Sequence, residues 1–286
     1  MPGLTKQLRY FFLGLILLPS WVSGQATGPY HLNLKRQGII LGTGLVLAGG
    51  DALLRNHVTS LTSAELNDLD PASVWVFDRS ATRHYSTAAA HRSDVGFYGA
   101  AGLAVATSFV LPVTHAQGSR SSFLRQAGTL FLLWGETNAI TLFGTDVVKN
   151  TVMRTRPYAY NPLTPLDAKL EVDTRRSFFS GHTSLTAANT FFAAKVFSDY
   201  FPESKWKPVV WTAAAIVPAW VGFERYQAGK HFPSDIIAGY AVGAAMGVLI
   251  PHLHLPAGKL SHRGMSFQLY PVALQQASGL GGTLSF

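Results

Sequence analysis

The sequence predicts an all-α fold, a helical bundle of about five to six core helices followed by a short β-like C-terminal tail. Three observations predict it. The 286 residues are 48% hydrophobic but only 13% charged, about half the roughly 25% charged share of ordinary soluble domains. Long stretches lack Asp, Glu, Lys and Arg altogether, 25 residues over 95–119 and 23 over 236–258. Between residue 95 and about residue 251, Gly/Ala-rich apolar segments recur with short polar breaks and without a fixed-period repeat. The apolar content excludes a disordered chain, and zero cysteines exclude a disulfide scaffold and thiol chemistry. A formal charge of +8 leaves nucleic acid, a membrane surface and an anionic substrate open as partners.

Residues 1–24 have the form of a signal peptide: Lys6 and Arg9 make a basic start, 10–18 an apolar run, and Val22, Ser23 and Gly24 a small-residue cleavage site. This implies export. Over 25–94 the composition is mixed, and we expect one short helix around 39–54 followed by irregular surface elements. The domain over 95–258 carries five helices, near 95–116, 122–150, 181–200, 208–224 and 232–250. The segments over 95–119 and 236–258 are long enough for the roughly 20 residues a membrane span requires. Such helices suit either a bundle in lipid or the inner helices of a large all-helical globule. The tail over 259–286 alternates at Ser266, Phe267, Gln268, Leu269 and Tyr270 and has a glycine-rich turn over 279–282, the pattern of a small β-hairpin.

In a chain this poor in charge, clustered cations need an explanation, and three clusters stand out. Lys149 and Arg156 are seven residues apart, two helical turns, so both can face one side. Ser180 is placed to cap a helix whose first turn holds Gly181 and His182, where free backbone N–H groups favour an anion. Arg225 precedes His231, and Asp235 lies one turn beyond it. Helix parity puts all three clusters at the same end of the bundle. Guanidinium forks and a lysine match phosphoryl oxygens. His231 can then attack phosphorus if Asp235 fixes its tautomer, and His182 can protonate the leaving oxygen and later activate water. No metal or other cofactor is needed, and the cluster lacks the carboxylates of a two-metal site.

The ordered pattern K-x6-R-P, S-G-H and R-x5-H-x3-D, spread over 147–239, resembles the type 2 phosphatidic acid phosphatase superfamily, which includes class A acid phosphatases and vanadium haloperoxidases. The resemblance implies a metal-independent histidine phosphatase. It implies phosphate binding by Lys149, Arg156, Ser180, Gly181 and Arg225, His182 as acid and base, His231 as nucleophile, and Asp235 as its orienting partner. The expected substrate is a phosphomonoester or pyrophosphate of a lipid, handled at the periplasmic face of a membrane. The alternatives are a soluble periplasmic acid phosphatase acting on small phosphate esters and a vanadate-dependent haloperoxidase. Nucleic acid drops out as a partner. Two residues depart from the family pattern: Phe179 stands where proline is usual, and Glu224 stands where serine is usual, with a carboxylate able to weaken Arg225's hold on phosphate.

Other polar residues have plainer readings. His252 and His254 fit a surface strand, Arg175 and Arg176 a solvated pair, and Glu136 a helix–helix hydrogen bond. The linker over 158–177 is long enough to be functional and is expected to border the site entrance. Lys195, Lys205 and Lys207 border the turn opposite the expected site, where the positive-inside rule would put the cytoplasm if the helices span a membrane, and are ordinary surface residues otherwise.

Overall fold

The computed structural model describes residues 28–116 and 118–256 and the backbone of 266–274 and 277–285. The expected export signal over 1–24 lies outside the described residues. The helices are α1 (Leu34–Arg55), α2 (Ser63–Asn67), α3 (Thr87–His115), α4 (Arg120–Val152), α5 (Leu166–Lys169), α6 (Gly181–Tyr200), α7 (Lys207–Gln227) and α8 (Pro233–Leu253). Six of them are long and form the bundle, with α6 packed against α3, α4, α7 and α8. Strands β1 (Ser266–Leu274) and β2 (Ala277–Ser285) pair antiparallel, with Leu274 opposite Ala277.

Side-chain chemistry explains which helices lie inside. On α3 the buried positions are Ala89, Ser93, Ala100, Ala104, Ser108 and Pro112, a stripe of small side chains at helical spacing. Its bulky apolar residues point outward, with Leu103, Val110 and Val113 all more than half exposed. A water-soluble helix would show the reverse. Helices α1, α3 and α8 are each long and apolar enough to cross a membrane, and their outward apolar faces suit lipid. The inner helices carry the polar groups instead. Asn189 on α6 accepts from Trp134 Nε1 at 2.7 Å and donates to Asn138 Oδ1 at 2.7 Å. Thr137, Thr141 and Thr145 on α4 return their hydroxyls to carbonyls one turn back. These bonds satisfy polar groups that lipid could not.

Helix α8 approaches α6 through Gly239, Gly243 and Gly247, one residue per turn on a single face. A Cβ at Gly243 would lie 1.9 Å from the Ser184 carbonyl oxygen, and one at Gly239 2.6 Å from that of Ser180. Only glycine permits backbones this close. The close crossing brings the start of α6 onto the start of α8, where the Ser180 N–H donates to the Asp235 carbonyl at 3.0 Å.

Three expectations change. The N-terminal helix spans Leu34–Arg55, because Asn33 caps it by accepting from the Lys35 and Arg36 N–H groups. The region after it is not purely surface, since Asp78 and Ala81 are buried and Val74 and Ala81 pack on Phe232. His254 does not lie on a surface strand. It is fully buried beside the last turn of α8, with Nδ1–H donating to the Ile250 carbonyl at 2.8 Å and Gln37 Nε2 donating to its Nε2 at 2.9 Å.

Candidate active site

The three clusters meet at one end of the bundle. Helix α4 ends at Met153, whose left-handed backbone (φ 47°) caps it and turns the chain so that Arg154 and Arg156 face the starts of α6 and α8. The following linker is stitched to its surroundings. Arg156 N–H donates to Thr174 O at 2.8 Å, Tyr158 N–H to Gly229 O at 2.9 Å, and Ser177 N–H to Arg154 O at 2.9 Å. Gly229 needs its positive φ of 66°, and a Cβ there would strike the His84 carbonyl at 2.1 Å.

Ser180 caps α6, its hydroxyl accepting from the Thr183 N–H at 3.4 Å. Lys149 Nζ lies against the first turn of that helix, 3.2 Å from where a Gly181 Cβ would stand. Arg156 is buried, with Nε on the Asp173 carbonyl at 2.9 Å and Nη2 on the Asp173 carboxylate at 2.7 Å. Its Nη1 has no partner among the described residues, and neither has Nε of the buried Arg225. Unsatisfied buried guanidinium N–H groups are costly, and a phosphoryl oxygen is the acceptor type they fit. Burial alone would raise the Asp173 pKa, but Arg156, Lys149, Arg176 and Lys230 hold it well below the usual carboxylate range. Lys230, above the Tyr158 ring at 4.7 Å, is pushed down to about 8 by burial and by Arg156 and Arg225.

His231 is buried at the centre of this cationic field. Its Nδ1–H donates to the Ser177 carbonyl at 2.8 Å, which leaves the Nε2 lone pair free. Burial, then Arg156, Lys149 and Arg225, depress its pKa well below the ordinary histidine value, so the ring is neutral at neutral pH. The expected direct bond from Asp235 to His231 does not form, because Nδ1 is 3.8 Å from Asp235 Oδ2. The Asp235 oxygens are already filled. Oδ2 accepts from the Phe232 N–H at 2.9 Å and from Ser177 Oγ at 2.5 Å, and Oδ1 accepts from Arg154 Nη1 at 2.5 Å. Asp235 thus holds the loop that presents the Ser177 carbonyl and acts on the histidine one step removed.

Further residues belong to this candidate site that sequence reasoning did not assign to it. Arg154 bridges Asp235 and the buried Asp78, donating to Asp78 Oδ2 at 2.8 Å, with its guanidinium 4.1 Å over the Phe232 ring. Ser177 supplies the carbonyl. Asp94, at the start of α3, lies 2.8 Å from His182 Nε2 and 4.0 Å from Arg225 Nη1. Asp94 had a visible signal, as the last charge before the charge-free stretch over 95–119. Arg154 had one too, as an unassigned cation inside the first motif. Glu224 does not compete for Arg225, because its buried carboxylate pairs with Arg92 at 2.8 Å. The arginine pair is not simply solvated either: Arg175 pairs with Glu65 at 2.5 Å and Arg176 with Asp146 at 2.8 Å.

Comparison with known proteins bears on this arrangement. The PAP2 superfamily model matches residues 129–259, a segment that contains all three motifs. Phosphatidylglycerophosphatase B of Bacillus subtilis is 28% identical over 146 residues, which is 51% of this chain and 68% of that protein. Lipid A 1-phosphatase of Rhizobium etli is 33% identical over 120 residues, 40% of this chain and 46% of that protein. The matched part therefore spans just over two thirds of the first relative and under half of the second. The crystal structure of a transmembrane PAP2-type phosphatidylglycerolphosphate phosphatase from Bacillus subtilis superposes with a TM-score of 0.43 at 23% identity, covering 77% of this chain and 98% of that one. The family match encloses the three motifs, whose side chains converge at one end of the bundle, so over residues 129–259 this chain is similar to the PAP2 superfamily.

Proposed function

We propose that this protein is a membrane phosphatase that hydrolyses phosphomonoesters or pyrophosphates of lipids through a phosphohistidine on His231. The observation that carries the reading is the neutral His231 ring, its Nε2 free, inside a field made by Arg156, Lys149 and Arg225. The lipid substrate class is supported by the three apolar helices and by relatives named for phosphatidylglycerophosphate and lipid A.

In the first step His231 Nε2 attacks phosphorus, the bond from phosphorus to the leaving oxygen breaks, and His182 gives that oxygen its proton. In the second, His182 takes a proton from water, the resulting hydroxide attacks phosphorus, and the P–N bond breaks to release inorganic phosphate. Charge on the three equatorial oxygens is stabilised by Arg156 Nη1, Arg225 Nε, Lys149 and the backbone N–H groups that open α6. Asp94 orients the His182 ring. The export signal and the placement of Lys205 and Lys207 at the far end of the bundle support a periplasmic orientation for the site.

The test is phosphate release by the purified protein on phosphatidylglycerophosphate, phosphatidate, a polyprenyl pyrophosphate, lipid A and a soluble aryl phosphate. Quenched turnover of a ³²P-labelled substrate should trap an acid-labile, alkali-stable phosphoenzyme. His231→Ala should abolish both turnover and trapping, and His182→Ala should lower turnover by about 100-fold or more. Full activity in His231→Ala would overturn the mechanism.

A further inference from the structure

Three consecutive bulky apolar residues, Trp75, Val76 and Phe77, are 65%, 73% and 46% exposed, and the phosphatase reading makes no use of them. They are held out firmly. On one side Val74 is buried against Ala81 and Phe232. On the other, the buried Asp78 accepts from the Ser234 N–H at 3.0 Å and from Arg154 at 2.8 Å. The Asp78 and Arg79 N–H groups both close onto the Trp75 carbonyl at 2.9 Å. The Arg79 side chain ties down the Val74 and Ala72 carbonyls at 3.2 and 2.8 Å. The tip is thus a braced turn, with the Trp75 and Phe77 rings 5.2 Å apart.

Its position identifies what covers it. The chain over 56–86 leaves the end of one candidate span, α1, and enters the start of another, α3, while Ser234, to which Asp78 is bonded, is the second residue of a third, α8. The tip therefore stands level with the ends of membrane-crossing helices, at the depth where tryptophan is favoured. It is also beside the site, because Asp78 and Asp235 share Arg154. We propose that Trp75, Val76 and Phe77 form a fixed apolar tip that inserts into the headgroup–acyl boundary of the bilayer next to the active-site mouth. Burial in that layer removes their apolar surface from water and holds the mouth at the depth of lipid phosphates.

The chain has no cysteine, so Val76→Cys accepts one nitroxide label without further changes, and Asn67→Cys serves as an exposed polar control on α2. The full-length protein is reconstituted in vesicles of phosphatidylcholine and phosphatidylglycerol, and collision with oxygen is compared with collision with a water-soluble nickel chelate. The label at 76 should favour oxygen over nickel, and the label at 67 the reverse. Equal nickel access at 76 and 67 would put the tip in water, and shielding from both reagents would mean a protein partner such as a second copy. Either result overturns the proposal. Replacing all three residues with serine should lower kcat/KM several-fold on a vesicle-borne lipid phosphate while leaving a soluble aryl phosphate unchanged. An equal loss on both substrates, or none on the lipid, would also overturn it. This kinetic arm rests on the phosphatase reading, and the label measurement does not, so failure of one is distinguishable from failure of the other.

Discussion

Replacing Gly243 with alanine tests the link between helix packing and the site. A Cβ there would lie 1.9 Å from the Ser184 carbonyl oxygen and 2.7 Å from its carbon, whereas even a close C–H···O contact needs about 3.3 Å. The obstacle is backbone on both sides, so no rotamer change relieves it, and α6 and α8 must part by more than an ångström. Overpacking of this kind costs about 1–3 kcal/mol. The separation is transmitted to the helix starts, where Ser180 N–H meets Asp235 O and Ser177 Oγ meets the Asp235 carboxylate. A shift of about 1 Å in a catalytic array can cost about 100-fold in rate. Gly102→Ala is the matched control, because nothing lies within 4 Å of that position. Thermal unfolding in detergent and kcat/KM on a phosphatidylglycerophosphate substrate read the two effects. Gly243→Ala should melt several degrees lower and lose most of its activity, and Gly102→Ala should match the parent. A Gly243→Ala protein with parental melting and turnover would refute the claim that this crossing sets the site.

Arg154→Gln removes the cation shared by Asp78 and Asp235, whose side chains are 1% and 0% exposed. Leaving buried carboxylates unpaired should cost about 3 kcal/mol or more, seen as a lower melting temperature with a fall in kcat, and Arg154→Lys should restore only part of it. The pH dependence follows from two depressed pKa values. In the proposed mechanism His231 must be neutral to attack, and because its pKa is pushed well below 6.5, no loss of kcat/KM assignable to His231 protonation should appear at pH 6.5. Lys230, next to His231 in sequence, adds positive charge beside the site only while protonated, and with a pKa of about 8 it loses that charge as pH rises through 8. Inhibition by inorganic phosphate should therefore weaken above pH 8, and this dependence should flatten in Lys230→Gln.

Much of the site was legible because motif order and helix parity are properties of one dimension. Lys149 stands in the last turn of one helix and Arg156 just beyond its end, not two turns along it as the spacing suggested, Ser180 to His182 open the next, and Arg225 and His231 bracket the turn between the last two. What was not legible lies in contacts between distant segments. Asp94 is 88 residues from His182, and Arg154 is 76 from Asp78. No periodicity constrains such pairs. The reading of His254 failed for a related reason, since an H-x-H pattern at the end of an apolar run fits a strand as well as the last turn of a helix.

The sequence by itself determined an apolar helical bundle, the end at which its cations gather and the residue types able to handle a phosphoryl group, because these depend on composition, periodicity and spacing along the chain. Only the tertiary structure decided which atoms meet. Hydrogen-bond geometry discriminates over about an ångström, and here the difference between 2.8 Å to the Ser177 carbonyl and 3.8 Å to the Asp235 carboxylate sets the tautomer of His231. The same is true of Glu224, adjacent to Arg225 in sequence yet paired with Arg92, because successive residues on a helix point about 100° apart.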